Sequence, residues 1–128
     1  MNCKVKNELS DRFLNFAVNV IKLTQGIDKT YAGNHIGGQL MRSATSSGAN
    51  YEEACGAESR ADFVHKMQIV LKELRETVYW LRLLEKSAIL DSNKIKWFQQ
   101  ESKELCNIAA RSVVTAKNNA RKKEVSNE

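Results

Sequence analysis

Apolar residues recur with the period of an α-helix in four separate segments of this 128-residue chain. In the first, over about residues 10–25, Phe13, Phe16, Ala17, Val20 and Ile21 fall at i, i+3, i+4, i+7 and i+8, a stripe that faces a core. Ser10 is placed to cap this helix, Asp11 lies in its first turn, and Gly26 suits its C-terminal end. The stretch "IDKTYAGNHIGG" that follows reads as a loop with a short turn of helix. Its glycines sit where turns need them and do not form the G-x-x-x-x-G-K-[ST] pattern of a phosphate loop.

The second helix, about 35–56, carries Ile36, Leu40, Ser43, Ser47, Asn50 and Ala54 on one face. The third, about 59–87, has the strongest pattern: Phe63, Met67, Val70, Leu74, Thr77, Leu81 and Leu84. Ser59 caps it, with Asp62 three residues on in a capping-box-like arrangement. The fourth, about 92–120, starts at Ser92 or Asn93 and aligns Ile95, Phe98, Ser102, Leu105, Ala109, Ser112 and Ala116. It is expected to fray into "KNNARKKEVSNE", a polar and mobile tail. There is no internal repeat and no composition shift that would mark a second domain. Short links and matching stripes predict an all-α fold, an antiparallel up-down-up-down four-helix bundle filling one domain over 1–128.

The second helix poses a question, because "SATSSGANYEEACG" gathers weak helix formers in its middle. Gly costs a helix about 1 kcal/mol relative to Ala. A face of Ser, Gly and Ala, however, lets a neighbouring backbone come close and leaves room for the bulky stripe of the third helix. Buried hydroxyls there can bond to the carbonyls at i−4. Packing, not propensity, holds such a helix.

Composition sharpens this reading. The chain has no proline, where average usage would give about six. No apolar run approaches the ~18 residues of a membrane span. The segment "MNCKVKNELSDRF" lacks the apolar core of a secretory signal, so a cytoplasmic location is expected. Cys3, Cys55 and Cys106 are odd in number and lack C-x-x-C spacing, which argues against a disulfide framework or a zinc site. His35 and His65 have no H-x-x-x-H or E-x-x-H companion, so no metal and no cofactor is expected. Cys55, His65 and Asn50 could be imagined as a hydrolase triad. Antiparallel pairing places Cys55 opposite about Arg60, over a turn from His65, and a bundle offers no oxyanion element. No catalytic residue is therefore expected.

One continuous block carries a recognisable pattern, formed by Gln39-Leu40-x-Arg42-Ser43, Ser46-x-Gly48-Ala49-Asn50-Tyr51-x-Glu53-Ala54, Ser59-x-x-x-Phe63, Lys72-Glu73-x-x-Glu76-Thr77 and Tyr79-Trp80-Leu81. Taken together it resembles the 23S rRNA intervening-sequence proteins. The resemblance covers the second and third helices closely, and the first and fourth in length and pattern. It implies an all-α fold and a ring-like homopentamer. It also implies a relation to accessory proteins of diversity-generating retroelements, similar bundles with a basic, nucleic-acid-facing surface. The family name records gene location, and no catalytic residues come with it.

Charged positions then fall into two groups. Arg42, Glu53, Glu73 and Glu76, with Asn50, lie in apolar or small surroundings on the second and third helices. An interhelical pair of Arg42 with Glu73 or Glu76 would fix register; the alternative is solvated charges worth little. Arg111, Lys117, Arg121, Lys122 and Lys123 crowd the end of the chain, with no acid between Arg111 and Glu124. They are candidate phosphate contacts in a chain of net charge +5, or else favourable charges near a helix C-terminus. Without interleaved aromatics they support no base-specific readout. Ile69, Trp80 and Leu83 form a second apolar line on the third helix and are candidates for an interface between identical subunits. The function expected is a non-enzymatic homo-oligomer, most simply a pentamer, that binds structured RNA or DNA; the alternative is an oligomeric protein-binding scaffold.

Overall fold

A computed structural model describes residues 6–126, apart from the side chains of Lys6, Asn7, Ala120 and residues 123–126. Four helices account for nearly all of it: α1 (Lys6–Gln25), α2 (Tyr31–Cys55), α3 (Arg60–Lys86) and α4 (Ser92–Ser126). Among the described residues there is no strand, and no helix is long and apolar enough to cross a membrane.

Each helix packs on its neighbours in sequence, and α1 also meets α4, which closes the bundle. Cross-helix pairs run in opposite senses. Phe13 stacks on Tyr51 while Gly37 faces Thr24 and Ile27. Glu53 meets Lys66 while Arg42 meets Glu73. Arg12 meets Glu101 while Phe16 meets Trp97. The core holds Phe16, Leu40, Met67, Leu74, Leu81, Ile95 and Leu105, all fully buried.

Helix starts follow the side chains able to cap them. Ser59 Oγ accepts the Asp62 N–H at 3.1 Å, so α3 begins where its sequence expects. Asp91 Oδ1 accepts the Asn93 N–H at 3.1 Å and opens α4. Three boundaries differ from the sequence reading. α1 starts at Lys6, so Ser10 is not its cap but an internal residue whose hydroxyl donates to the Glu52 carboxylate on α2. α2 starts at Tyr31, capped by Thr30, whose Oγ1 accepts the Gly33 N–H at 3.0 Å. The stretch read as a loop is therefore helical from Tyr31. Gly33 and Gly37 serve close approach instead of turns: a Cβ on Gly33 would lie 2.5 Å from the Asp28 carbonyl oxygen and 2.8 Å from Ile27 Cγ2, and one on Gly37 3.3 Å from Ile27 Cδ1. Finally, α4 does not end near residue 120 but carries the expected tail on as helix to Ser126.

The small-residue face of α2 meets both neighbours. Ser43, Ala44, Ser47 and Ala54 are fully buried, and the broadest interface of the molecule is that of α2 with α3. On the α1 side, a Cβ at Gly48 would come within 3.3 Å of Phe13 Cβ, so this glycine admits α1. The buried hydroxyls are satisfied as the pattern requires, although Ser43 and Ser47 use the carbonyls at i−3, Leu40 and Ala44, not those at i−4. Ser43 Oγ also lies 2.8 Å from Thr77 Oγ1, which donates to the Glu73 carbonyl, so a hydroxyl pair crosses the α2–α3 seam.

Candidate nucleic-acid interface

The last buried residue of α4 is Ala116. From Lys117 onward every described side chain is exposed, and Lys117, Arg121 and Lys122 are among them. Helical spacing sorts the cluster into two rows. Arg111, Thr115 and Lys122 lie along one side of the helix, and Lys117 and Arg121, at i and i+4, lie along another. The Lys123 side chain lies outside the described residues. Among the described residues none of these cations is in an ion pair; Arg111 Nε donates to the Asn107 carbonyl at 3.3 Å on its own helix.

Beside the first row, α4 and the first turn of α3 enclose a cleft of about 570 Å³. Arg60 of α3 and Arg111 of α4 both line it, with Ser112, Thr115 and Asn119 as polar and Phe63, Ile108 and Ala116 as apolar neighbours. No described lining residue is acidic. Two guanidinium groups are well matched to phosphate, which they bind in a planar fork. Arg60 and Phe63 were not singled out as binding residues by sequence reasoning. The signal available was the antiparallel pairing, which sets the start of α3 against the end of α4.

The second charged group ties α2 to α3. Each of the three guanidinium nitrogens of Arg42 donates: Nε to Gln39 Oε1 at 3.1 Å, Nη1 to Glu73 Oε2 at 3.1 Å, and Nη2 to the Glu76 carboxylate. Glu76 also accepts from Trp80 Nε1 at 3.2 Å. The hydrogen bond from Arg42 is the main cause that lowers the Glu76 carboxyl below its ordinary range, with Trp80 adding to it. Glu53 accepts from Lys66 across the same seam at 3.2 Å. Asn50 is not brought to the partner helix; its amide turns back to the Ser46 carbonyl at 2.9 Å.

A matching cluster went unseen in the sequence. Arg12 on α1 donates to both carboxylate oxygens of Glu101 on α4, at 2.7 and 3.2 Å, and reaches Glu104 at 3.2 Å. The α2–α3 and α1–α4 seams thus each set one arginine against a Glu-x-x-Glu pair. That spacing, Glu73/Glu76 and Glu101/Glu104, was the available signal.

The remaining candidates separate. Trp80 and Leu83 are half-buried against the core of their own chain, and Ile69 is also half-buried. Trp80 additionally meets His35 edge-on, with ring centroids 6.1 Å apart. The most continuous exposed apolar row lies instead on α1, where Leu14, Val18 and Ile21 border a groove of about 410 Å³ against α2. His65 is exposed, and Cys55 is half-buried against the core. Burial raises the Cys106 thiol above its ordinary range, which makes it a poor nucleophile. Among the described residues no three His, Cys, Asp or Glu side chains converge as metal ligands would.

Residues 6–111 match the family described as 23S rRNA-intervening sequence protein. Among solved structures, the chain is similar to a protein of unknown function from the S23 ribosomal protein family of Bacteroides thetaiotaomicron. The two are 34% identical, the match covers 81% of this chain and 96% of that one, and the TM-score is 0.75. No curated protein is similar enough to match.

Proposed function

The chain belongs to the 23S rRNA-intervening sequence protein family, and we propose that it is a non-enzymatic homo-oligomer that holds structured RNA or DNA through a basic surface without reading base sequence. The observation that carries this reading is the end of α4. Beyond Ala116 no described side chain is buried, and the helix presents Lys117, Arg121 and Lys122 to solvent, continuous with Arg111 and the cleft. Cations on a regular helical arm suit a regular array of phosphates. No element of the chain resembles a base-reading device, so contacts to the backbone carry the affinity.

Assembly multiplies a small patch into a large one. The α1 row of Leu14, Val18 and Ile21 supports association, since an apolar helical face of this kind marks an interaction surface. The half-buried Ile69, Trp80 and Leu83 can add to it. A closed ring of five identical chains, working in the cytoplasm, is the assembly we favour. Sedimentation equilibrium at micromolar concentration is expected to give that oligomer, and a clean monomer would remove it.

Replacing Lys117, Arg121, Lys122 and Lys123 together by Gln tests the reading itself. These positions lie beyond the buried stripe, so helical content and assembly should hold while affinity for structured RNA, read by fluorescence anisotropy, falls. Equal affinities for parent and variant would acquit the α4 arm. No binding by the parent even at low salt would favour a protein-binding scaffold instead.

A further inference from the structure

The cleft between α3 and α4 joins two chemistries that a phosphate-only surface does not need. Arg60 and Arg111 line it as cations from two helices, while Phe63 and Ile108 bring an aromatic ring and an aliphatic side chain into the same cavity. A duplex displays phosphates on a convex ridge and hides the faces of its bases in the stack. It can meet the arginines, but it has nothing to lay on Phe63. An unpaired nucleotide has both parts, an anionic phosphate and a flat base with exposed faces. The volume, about 570 Å³, falls within the roughly 300–1,000 Å³ of clefts that enclose small ligands. Hydroxyls of Ser112 and Thr115 and the amide of Asn119 line the same space, within which sugar and base edges can find donors and acceptors.

We propose that this cleft captures a single unpaired nucleotide, with its phosphate between Arg60 and Arg111 and its base against Phe63, so that the protein prefers single-stranded or looped nucleic acid to duplex. The proposal rests on the nucleic-acid reading above and narrows it. The exposed arm of α4 attracts any polyanion, and the cleft then selects strands from which a base can be swung out. Stacking of this kind tolerates any base, in keeping with the absence of a sequence-reading element.

The test is an anisotropy titration of the intact protein with a short single-stranded RNA, its DNA counterpart, and the blunt duplex of each, at one fixed salt concentration. The parent is expected to bind a single strand roughly tenfold more tightly than the matching duplex, the scale of one base–aromatic stack. Phe63→Leu keeps an apolar side chain against the core but removes the aromatic face. It should abolish the preference and leave duplex affinity unchanged. Phe63→Met, which also lacks the aromatic face, provides an independent variant should Phe63→Leu fold poorly, and it should abolish the preference too. The RNA and DNA strands separate the source of the nucleotide, and a preference for either over its own duplex supports the proposal. Equal binding of strand and duplex by the parent, or a preference that survives a folded Phe63→Leu or Phe63→Met, would overturn the cleft while leaving the basic surface in place. Absence of binding to every probe would overturn both.

Discussion

The α2–α3 and α1–α4 seams use the same polar device in opposite surroundings. In each, one arginine faces two glutamates spaced i, i+3: Arg42 with Glu73 and Glu76, Arg12 with Glu101 and Glu104. The α2–α3 seam is broad and close, lined by Ser43, Ala44, Ser47 and Ala54 against Met67, Val70, Leu74 and Thr77. The α1–α4 seam is thin and is spanned by large side chains, with Phe16 tilted against Trp97 and Phe98 at centroid distances of 6.1 and 6.0 Å. Small residues let two backbones approach until hydroxyls touch. Where helices stand further apart, aromatic rings and a bidentate arginine fill the gap. An ion pair therefore contributes register where packing is already close, and a larger share of the attachment where packing is sparse.

The largest effect should come from the close seam. Leu74 is fully buried, and Leu74→Ala should cost about 2–5 kcal/mol in chemical unfolding. A loss below about half a kcal/mol would mean that this seam is not the core of the molecule. Next, Ser47→Leu adds bulk where two helices touch and should cost about 1–3 kcal/mol. A leucine variant as stable as the parent would show that the α2 face can open.

The arginines give a smaller, more discriminating contrast. Arg12 has 30% of its side chain exposed and binds Glu101 through two bonds, whereas Arg42 is 46% exposed. Arg12→Gln should cost about 1–2 kcal/mol and Arg42→Gln about 1 or less. The reverse order would refute the claim that the thin seam depends more on its ion cluster. The smallest effect is one of pH. Arg42 lowers the Glu76 carboxyl in the folded protein, so this pairing stabilises the fold at neutral pH and is lost as pH falls through the lowered value. Glu76→Gln should thus melt below the parent at neutral pH, and the gap should close on acidification. A gap that stays constant with pH would assign the loss to packing.

How far the sequence reached follows from which interactions are local. The α3 stripe and its Ser59 cap were readable because period and capping are set within one helix. The start of α2 was misread because glycine permits both a turn and a close approach. Only the position of Asp28 and Ile27 against Gly33 shows which is in use. Arg12 escaped notice because its partners lie 89 residues away or more, across the closure of the bundle. Arg42 could be paired on paper because a single short turn joins α2 to α3. For the candidate site, the cations of α4 were visible as a charge run, but Arg60 and Phe63 join them only once α3 folds back.

The most direct test of the account is the salt dependence of binding. The logarithm of the affinity of the parent for structured RNA should fall linearly with the logarithm of salt concentration, with a slope of about 0.7–0.9 per phosphate neutralised. Exchanging Lys117, Arg121, Lys122 and Lys123 for Gln should flatten that slope. An affinity independent of salt, or a slope unchanged in the variant, would contradict binding by the basic surface of α4.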